Sequence, residues 1–203
     1  MPAEFYHGRR DPLRVMNITR PPIEGILLIE PLCFQDERGF FLESYERERY
    51  QALGITEEFV QDNHSRSARN VLRGLHYTKE KPQAQILTVM RGKIFDVVVD
   101  IRKDSPTFGK WFGTELSDAG TRQIYMPHGF AHGFCVLSEC ADLHYKVSRR
   151  YDPSDEGGLV WNDPDVGIQW PTEAPHVAAR DAAYPRIRDL SCEQLPQRSS
   201  VEM

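Results

Sequence analysis

The chain has 203 residues, 40% of them hydrophobic, 27% charged and 10% aromatic, a balance that fits one sizeable globular domain and excludes collagen-like or wholly disordered chains. Its formal net charge of -5 leaves no global basic field, which excludes gripping nucleic acid mainly by phosphate neutralisation but leaves room for a local anion pocket. No apolar run approaches the roughly 20 residues that span a bilayer, and the first residues carry no hydrophobic signal core, so a cytoplasmic protein without membrane partners is expected.

Residues 1–22 contain Arg9, Arg10, Arg20 and the pair Pro21-Pro22 without an apolar period, and read as an N-terminal arm, flexible or lent to a neighbour as a strand. From Ile23 onward a single domain over 23–203 is expected. Short apolar runs recur there every 8 to 12 residues or so between Gly, Pro, Asp and Ser clusters, the spacing of a sandwich or barrel. In chain order the predicted strands are 26–30, 40–45, 59–62, 71–77, 85–90, 93–101, 110–116, 122–126, 131–137, 142–147 and 158–161. Within 93–101, Phe95, Val97, Val99 and Ile101 alternate onto one face and Asp96 and Asp100 lie on the other, a period of two. Arg91-Gly92 is placed to turn a hairpin, and Ser105-Pro106 to Gly109 reads as a longer loop. Helical signal is confined to 43–53 and to a short C-terminal stretch over 188–195. No repeat or interdomain linker is evident. The expected fold is all-β, mostly antiparallel, with a short helical C-terminal appendix.

The four cysteines, Cys33, Cys135, Cys140 and Cys192, form no CxxC pair and read as ordinary thiols. Three other residues carry possible chemistry. His76 alternates with Leu72 and Gly74 on a predicted strand, and Tyr145 with Leu143, so each is either a satisfied core group or a group aimed into a barrel interior. A histidine and a tyrosine on opposite sides of a carbonyl compound can remove a proton from one face and return one to the other, the chemistry of an epimerase. A carboxylate such as Asp181 behind the imidazole would fix its tautomer. Arg38, Arg73 and Arg180 recur beside these positions and suit a diphosphate, or else surface ion pairs. Gln61, Asp62 and Asn63 suit hydroxyls or a base edge, or else a capped strand end. A metal-binding barrel would want paired histidines one residue apart and a carboxylate; the segment around His76 has one histidine, and His128 and His132 are spaced by four across Gly and Phe, so no metal is expected.

Taken together, DERGFF at 36–41, FVQDNHS at 59–65, VLRGLHY at 71–77, DIRKDSPTFGKW at 100–111, GFAHGF at 129–134 and WNDPDVGIQWP at 161–171 resemble, in the same order, the dTDP-4-dehydrorhamnose 3,5-epimerases. The resemblance runs from about Ile23 to Pro185. It implies a cupin-like double-sheet β barrel (jelly roll), a homodimer, no cofactor and no metal, and a dTDP-linked 4-keto-6-deoxyhexose as substrate. By position it implies His76 as base, Asp181 as its partner and Tyr145 as proton donor on the opposite face. Arg38 and Glu43 match residues that meet the nucleotide sugar, across the dimer interface in one reading. Gln61, Asp62, Asn63, Arg73, His132, Glu156 and Arg180 match further ligand contacts, and Tyr151 matches an aromatic that stacks on thymine. Such stacking is worth roughly 1 to 3 kcal/mol. The chain departs from the family at Gln85, where a lysine commonly stabilises the enolate. An amide carries no charge, and charged donors bond roughly twice as strongly. The departure leaves open another cation in the lysine's role, epimerisation at one carbon only, or a different sugar nucleotide. A ketoisomerase, a non-catalytic sugar-nucleotide binding protein and a metallocupin are the remaining alternatives.

Overall fold

The computed structural model describes residues 16–81 and 83–196. Its strands run in chain order as β1 (Met16–Thr19), β2 (Leu27–Pro31), β3 (Cys33–Asp36), β4 (Gly39–Leu42), β5 (Gln61–Ala68), β6 (Val71–Thr78) and β7 (Gln85–Arg91). They continue as β8 (Lys93–Asp100), β9 (Trp111–Ser117), β10 (Gln123–Met126), β11 (Phe130–Val136), β12 (Cys140–Val147), β13 (Glu156–Gly158) and β14 (His176–Val177). Helix α1 (Arg47–Ala52) follows β4, and helix α2 (Ala179–Ala182) and a 3-10 turn over Ile187–Asp189 follow β14.

One sheet has the order β1-β2-β10-β7-β12-β5 and the other β13-β6-β11-β8-β9, with β14 pairing in parallel with Val71 and Leu72 of β6, on the edge whose other end is taken by β13. The sheets face each other across a shared core to which Leu28, Leu87, Ile124 and Leu143 contribute from the first and Ile94, Val98, Phe134 and Val136 from the second. This is the cupin-like double sheet. The outer faces are also covered. Tyr50, Leu53 and Ile55, in and after α1, pack on Leu27, Ile29, Ile86 and Tyr125, while Val166, Trp170 and Ile187 of the C-terminal segment cover Leu75, Val97 and Val99. Burying one such aliphatic side chain is worth about 1.5 to 3 kcal/mol.

The alternation in β8 is as the sequence implies, but both of its faces are buried. Phe95, Val97, Val99 and Ile101 face the C-terminal layer, and Asp96 and Asp100 share the intersheet side with Ile94 and Val98. Asp100 is satisfied there by Arg102, Ser105 and Thr107, whose hydrogen bonds hold the 105–109 loop closed and, against the cost of burial, hold its carboxyl below the usual range.

Four local expectations are corrected. Residues 16–19 of the expected arm form an edge strand on this chain's own β2, with Met16 opposite Pro31, while residues 1–15 lie outside the described residues. Arg91-Gly92 does not turn a hairpin: β7 pairs with β10 and β12 and β8 with β11 and β9, so the link carries the chain from one sheet to the other. Gly92 is required there, since a Cβ would sit 2.1 Å from the Cys140 carbonyl oxygen. The C-terminal helix contracts to the 3-10 turn at 187–189, where Asp163 accepts the Ile187 N–H and replaces the missing helical partners. Finally, the stretch 43–53 forms a helix only from Arg47, because the Glu46 carboxylate caps its first turn by accepting from the N–H groups of Glu48 and Arg49.

Candidate active site

A cavity of about 310 Å³ opens at one end of the barrel, with His76, Tyr145, Arg73, His132 and Gln85 among its lining. On β6 the chain departs from plain alternation. His132 of β11 pairs with His76, but Phe134 pairs with Arg73, so two steps on β11 match three on β6. This one-residue slip turns both Arg73 and His76 into the cavity. The expected sharing of a face by His76, Leu72 and Gly74 is therefore overturned, and neither Leu72 nor Gly74 lines the cavity. Gly74 makes the slip possible: its φ is +115°, and a Cβ there would lie 2.6 Å from the Gly133 Cα.

His76 Nε2 lies 3.0 Å from Asp181 Oδ1, and Asp181 Oδ2 accepts the Gly74 N–H at 3.1 Å. Asp181 sits in α2, only 2% exposed, brought over β6 by the parallel pairing of β14 just before it. Burial opposes its charge, but the bonds from His76, Gly74 and Arg180 prevail and hold its carboxyl at about 2. With Asp181 accepting from Nε2, Nδ1 is the ring nitrogen able to take a proton. Tyr184 packs edge-on against the imidazole, its ring centre 5.8 Å away.

Tyr145 rises from β12 in the opposite sheet. Burial pushes its phenol up to about 12, outweighing the bond to Ser65 Oγ at 3.3 Å, so it is a protonated donor at neutral pH. His132 Nε2 meets the buried Asp96 Oδ2 at 2.8 Å. Arg73 Nε donates to Ser67 Oγ, and Gln85 Nε2 donates to Gln83 Oε1.

At the mouth, Tyr151 donates its hydroxyl proton to Glu156 Oε2 at 2.6 Å, and Arg180 bridges Glu156 and Asp181. The ring of Tyr151 is 57% exposed beside the opening. Asn63 also lines the cavity; Gln61 donates to it and accepts the Tyr151 N–H, which ties the mouth segment to β5. Asp62 does not line the cavity and instead accepts from Lys146 at 2.8 Å. Arg38 and Glu43 do not line it either: Arg38 pairs with Asp36 on the β3–β4 hairpin, and Glu43 with Arg49.

Sequence reasoning missed Asp96, Tyr184 and the mouth cations Lys81, Arg149 and Arg150. The adjacent Arg149-Arg150 next to Tyr151 was a legible signal for an anionic ligand. Asp96 and Tyr184 carried none, since each reaches the site only through sheet and segment packing. The assembled site holds an imidazole with a buried carboxylate behind it, a phenol on the facing sheet and a cationic, aromatic mouth, a set suited to moving protons on an anionic, ring-bearing ligand.

The family model described as dTDP-4-dehydrorhamnose 3,5-epimerase matches residues 20–189. The dTDP-4-dehydrorhamnose 3,5-epimerase of Salmonella typhimurium is 49% identical over 176 residues, covering 85% of this chain and 96% of that protein. The dTDP-4-dehydrorhamnose 3-epimerase of Streptomyces niveus is 44% identical over 161 residues, 78% of each chain. Among solved structures, the dTDP-6-deoxy-D-glucose-3,5-epimerase of Legionella pneumophila in complex with dTDP-4-keto-L-rhamnose superposes with a TM-score of 0.88 at 46% identity, covering 91% of this chain and 100% of that one.

Proposed function

Because this chain belongs to the dTDP-4-dehydrorhamnose 3,5-epimerase family, we propose that it epimerises dTDP-4-keto-6-deoxy-D-glucose at C3 and C5. The observation that carries this reading is the single cavity lined by both the Asp181-backed His76 and the buried, protonated Tyr145. The ketone at C4 acidifies the neighbouring C–H bonds. His76 takes the proton from C3 and the bonding electrons move onto the carbonyl oxygen as an enolate. The enolate collapses as Tyr145 gives its proton to the opposite face of the same carbon. The imidazolium then loses its proton and the phenolate regains one from solvent, and the cycle repeats at C5. The cations at the mouth suit the diphosphate, and Tyr151 suits the thymine. Deuterium incorporation from D2O, followed by NMR on this substrate, tests the reading: label at C3 and C5 is expected, and exchange at neither carbon rejects it.

A second reading, epimerisation at one carbon, is favoured by Gln85, an uncharged amide turned towards Gln83 in the lining. Label at a single carbon decides for it.

The chain further suits a cytoplasmic homodimer. Leu32, Phe34, Phe40 and Phe41 stand exposed on and beside the β3–β4 hairpin that carries Arg38, an apolar patch that a second copy would cover. Light scattering should give twice the chain mass, and Phe41→Glu should give monomer. The cysteines are free thiols, as a reducing compartment favours, and no described helix is long and apolar enough to cross a membrane.

A further inference from the structure

We propose that Asp96 and His132 form a buried carboxylate–imidazolium pair in which the second ring N–H of His132 donates to the reacting carbonyl oxygen, with Asp96 as the positioning residue behind it. The proposal rests on the epimerase reading and adds to it the source of positive charge for the enolate.

Asp96 is fully buried on the intersheet face of β8. Its Oδ2 meets His132 Nε2 at 2.8 Å, whereas Oδ1 has no hydrogen-bond partner among the described residues. An ionised carboxylate with one bond in a closed interior is strongly disfavoured unless its partner is a cation. His132 is the group placed to be that cation. With Nε2 turned to Asp96, Nδ1 is the ring nitrogen left for a ligand, and His132 lines the cavity.

Position argues the same way. His132 is the cross-strand partner of His76, so donor and base stand at neighbouring places on one wall, where a carbonyl and its adjacent C–H bond can be met together. Four other donors in the lining are engaged by protein groups. Arg73 bonds Ser67, Arg180 is shared by Glu156 and Asp181, Lys81 pairs with Asp152, and the Gln85 amide is turned to Gln83. The charge on Asp96 also helps to keep the nearby Tyr145 phenol protonated.

Two measurements test the pair. In 15N-histidine NMR at neutral pH, with His132→Gln used for assignment, both ring nitrogens of His132 should resonate as protonated; a neutral imidazole overturns the proposal. This measurement needs only the wild-type fold and no substrate, so it stands even if Asp96→Asn does not fold. In kinetics, Asp96→Asn should lower kcat by about 10- to 100-fold, the range for losing a charge-assisted hydrogen bond, with KM and dTDP affinity within about twofold of wild type. An unchanged kcat, or a loss confined to KM, overturns it. Absence of exchange by wild-type protein would instead strike the epimerase reading, while the NMR result would still report on the pair.

Discussion

Asp181 Oδ1 lies 3.0 Å from His76 Nε2 although 105 residues separate the two in the chain. The contact exists because β14 docks in parallel on the edge of β6 and α2 begins at once, setting Asp181 over the strand that carries His76. If this imidazole is the base, His76→Ala lowers turnover by at least ~100-fold, the lower end for losing a positioned base. Deuterium exchange into the keto sugar measures it, and near-normal exchange would remove His76 from the mechanism.

Asp181 also links the site to stability. Its carboxyl is held at about 2 in the fold against an ordinary 3.8, so the folded state favours the charged form. The contribution is complete above the unfolded value, at neutral pH, and disappears as pH falls through the folded one. It amounts to on the order of 2 kcal/mol. Asp181→Asn should therefore be less stable than wild type by about that amount at pH 7 in urea denaturation, with the gap closing between pH 4 and 2. A gap independent of pH would mean that the carboxylate charge does not contribute.

Tyr145→Phe separates the two halves of the proposed reaction. Removal of the proton by His76 survives, but delivery to the opposite face loses its donor, so net epimerised product should fall by about 100-fold while exchange with retention persists. NMR of the sugar after incubation in D2O reads both quantities. Equal loss of exchange and of inversion would contradict the opposed-face assignment.

Gly74→Ala tests the slip in β6. The new Cβ would lie 2.6 Å from both the Gly133 Cα and the His132 carbonyl oxygen, at a φ of +115° that side chains rarely adopt. Strain and overpacking of this kind cost upwards of 2 kcal/mol, and both register partners flank the cavity. Thermal denaturation should show a lowered Tm, and dTDP affinity should drop with it. A stable variant with normal affinity would mean that β11 can move aside at no cost.

Much of the fold was legible in the chain. The period-two run from Phe95 to Ile101 marks β8, and the Gly- and Pro-bounded apolar runs match β2, β6, β7 and β9 to β12 within a few residues, because burial of a sheet face demands that pattern. β3, β14 and α2 were not foreseen: all are short and carry little apolar period, and while β3 is held by the adjacent β4, β14 and α2 are held by β6, distant in sequence. Arg91-Gly92 has the chemistry of a tight turn, yet turn chemistry cannot say whether the next strand pairs with the last one or crosses to the facing sheet. Asp96 read only as lying on the face opposite Phe95 and Val97, since alternation looks the same whether that second face meets water or a lined cavity.

From its residues alone, then, this protein declares a β barrel and the family motifs, because these are written locally as residue type and spacing, and the resemblance those motifs carry points to His76, Tyr145 and Asp181 as candidates. Which of them share a space was decided by tertiary structure. The one-residue slip at Gly74 turns Arg73 and His76 to the same side, the parallel docking of β14 delivers Asp181, and the crossing at Gly92 buries Asp96 behind His132. Pairing register and sheet order depend on contacts between segments far apart in the chain, and no short stretch of sequence contains them.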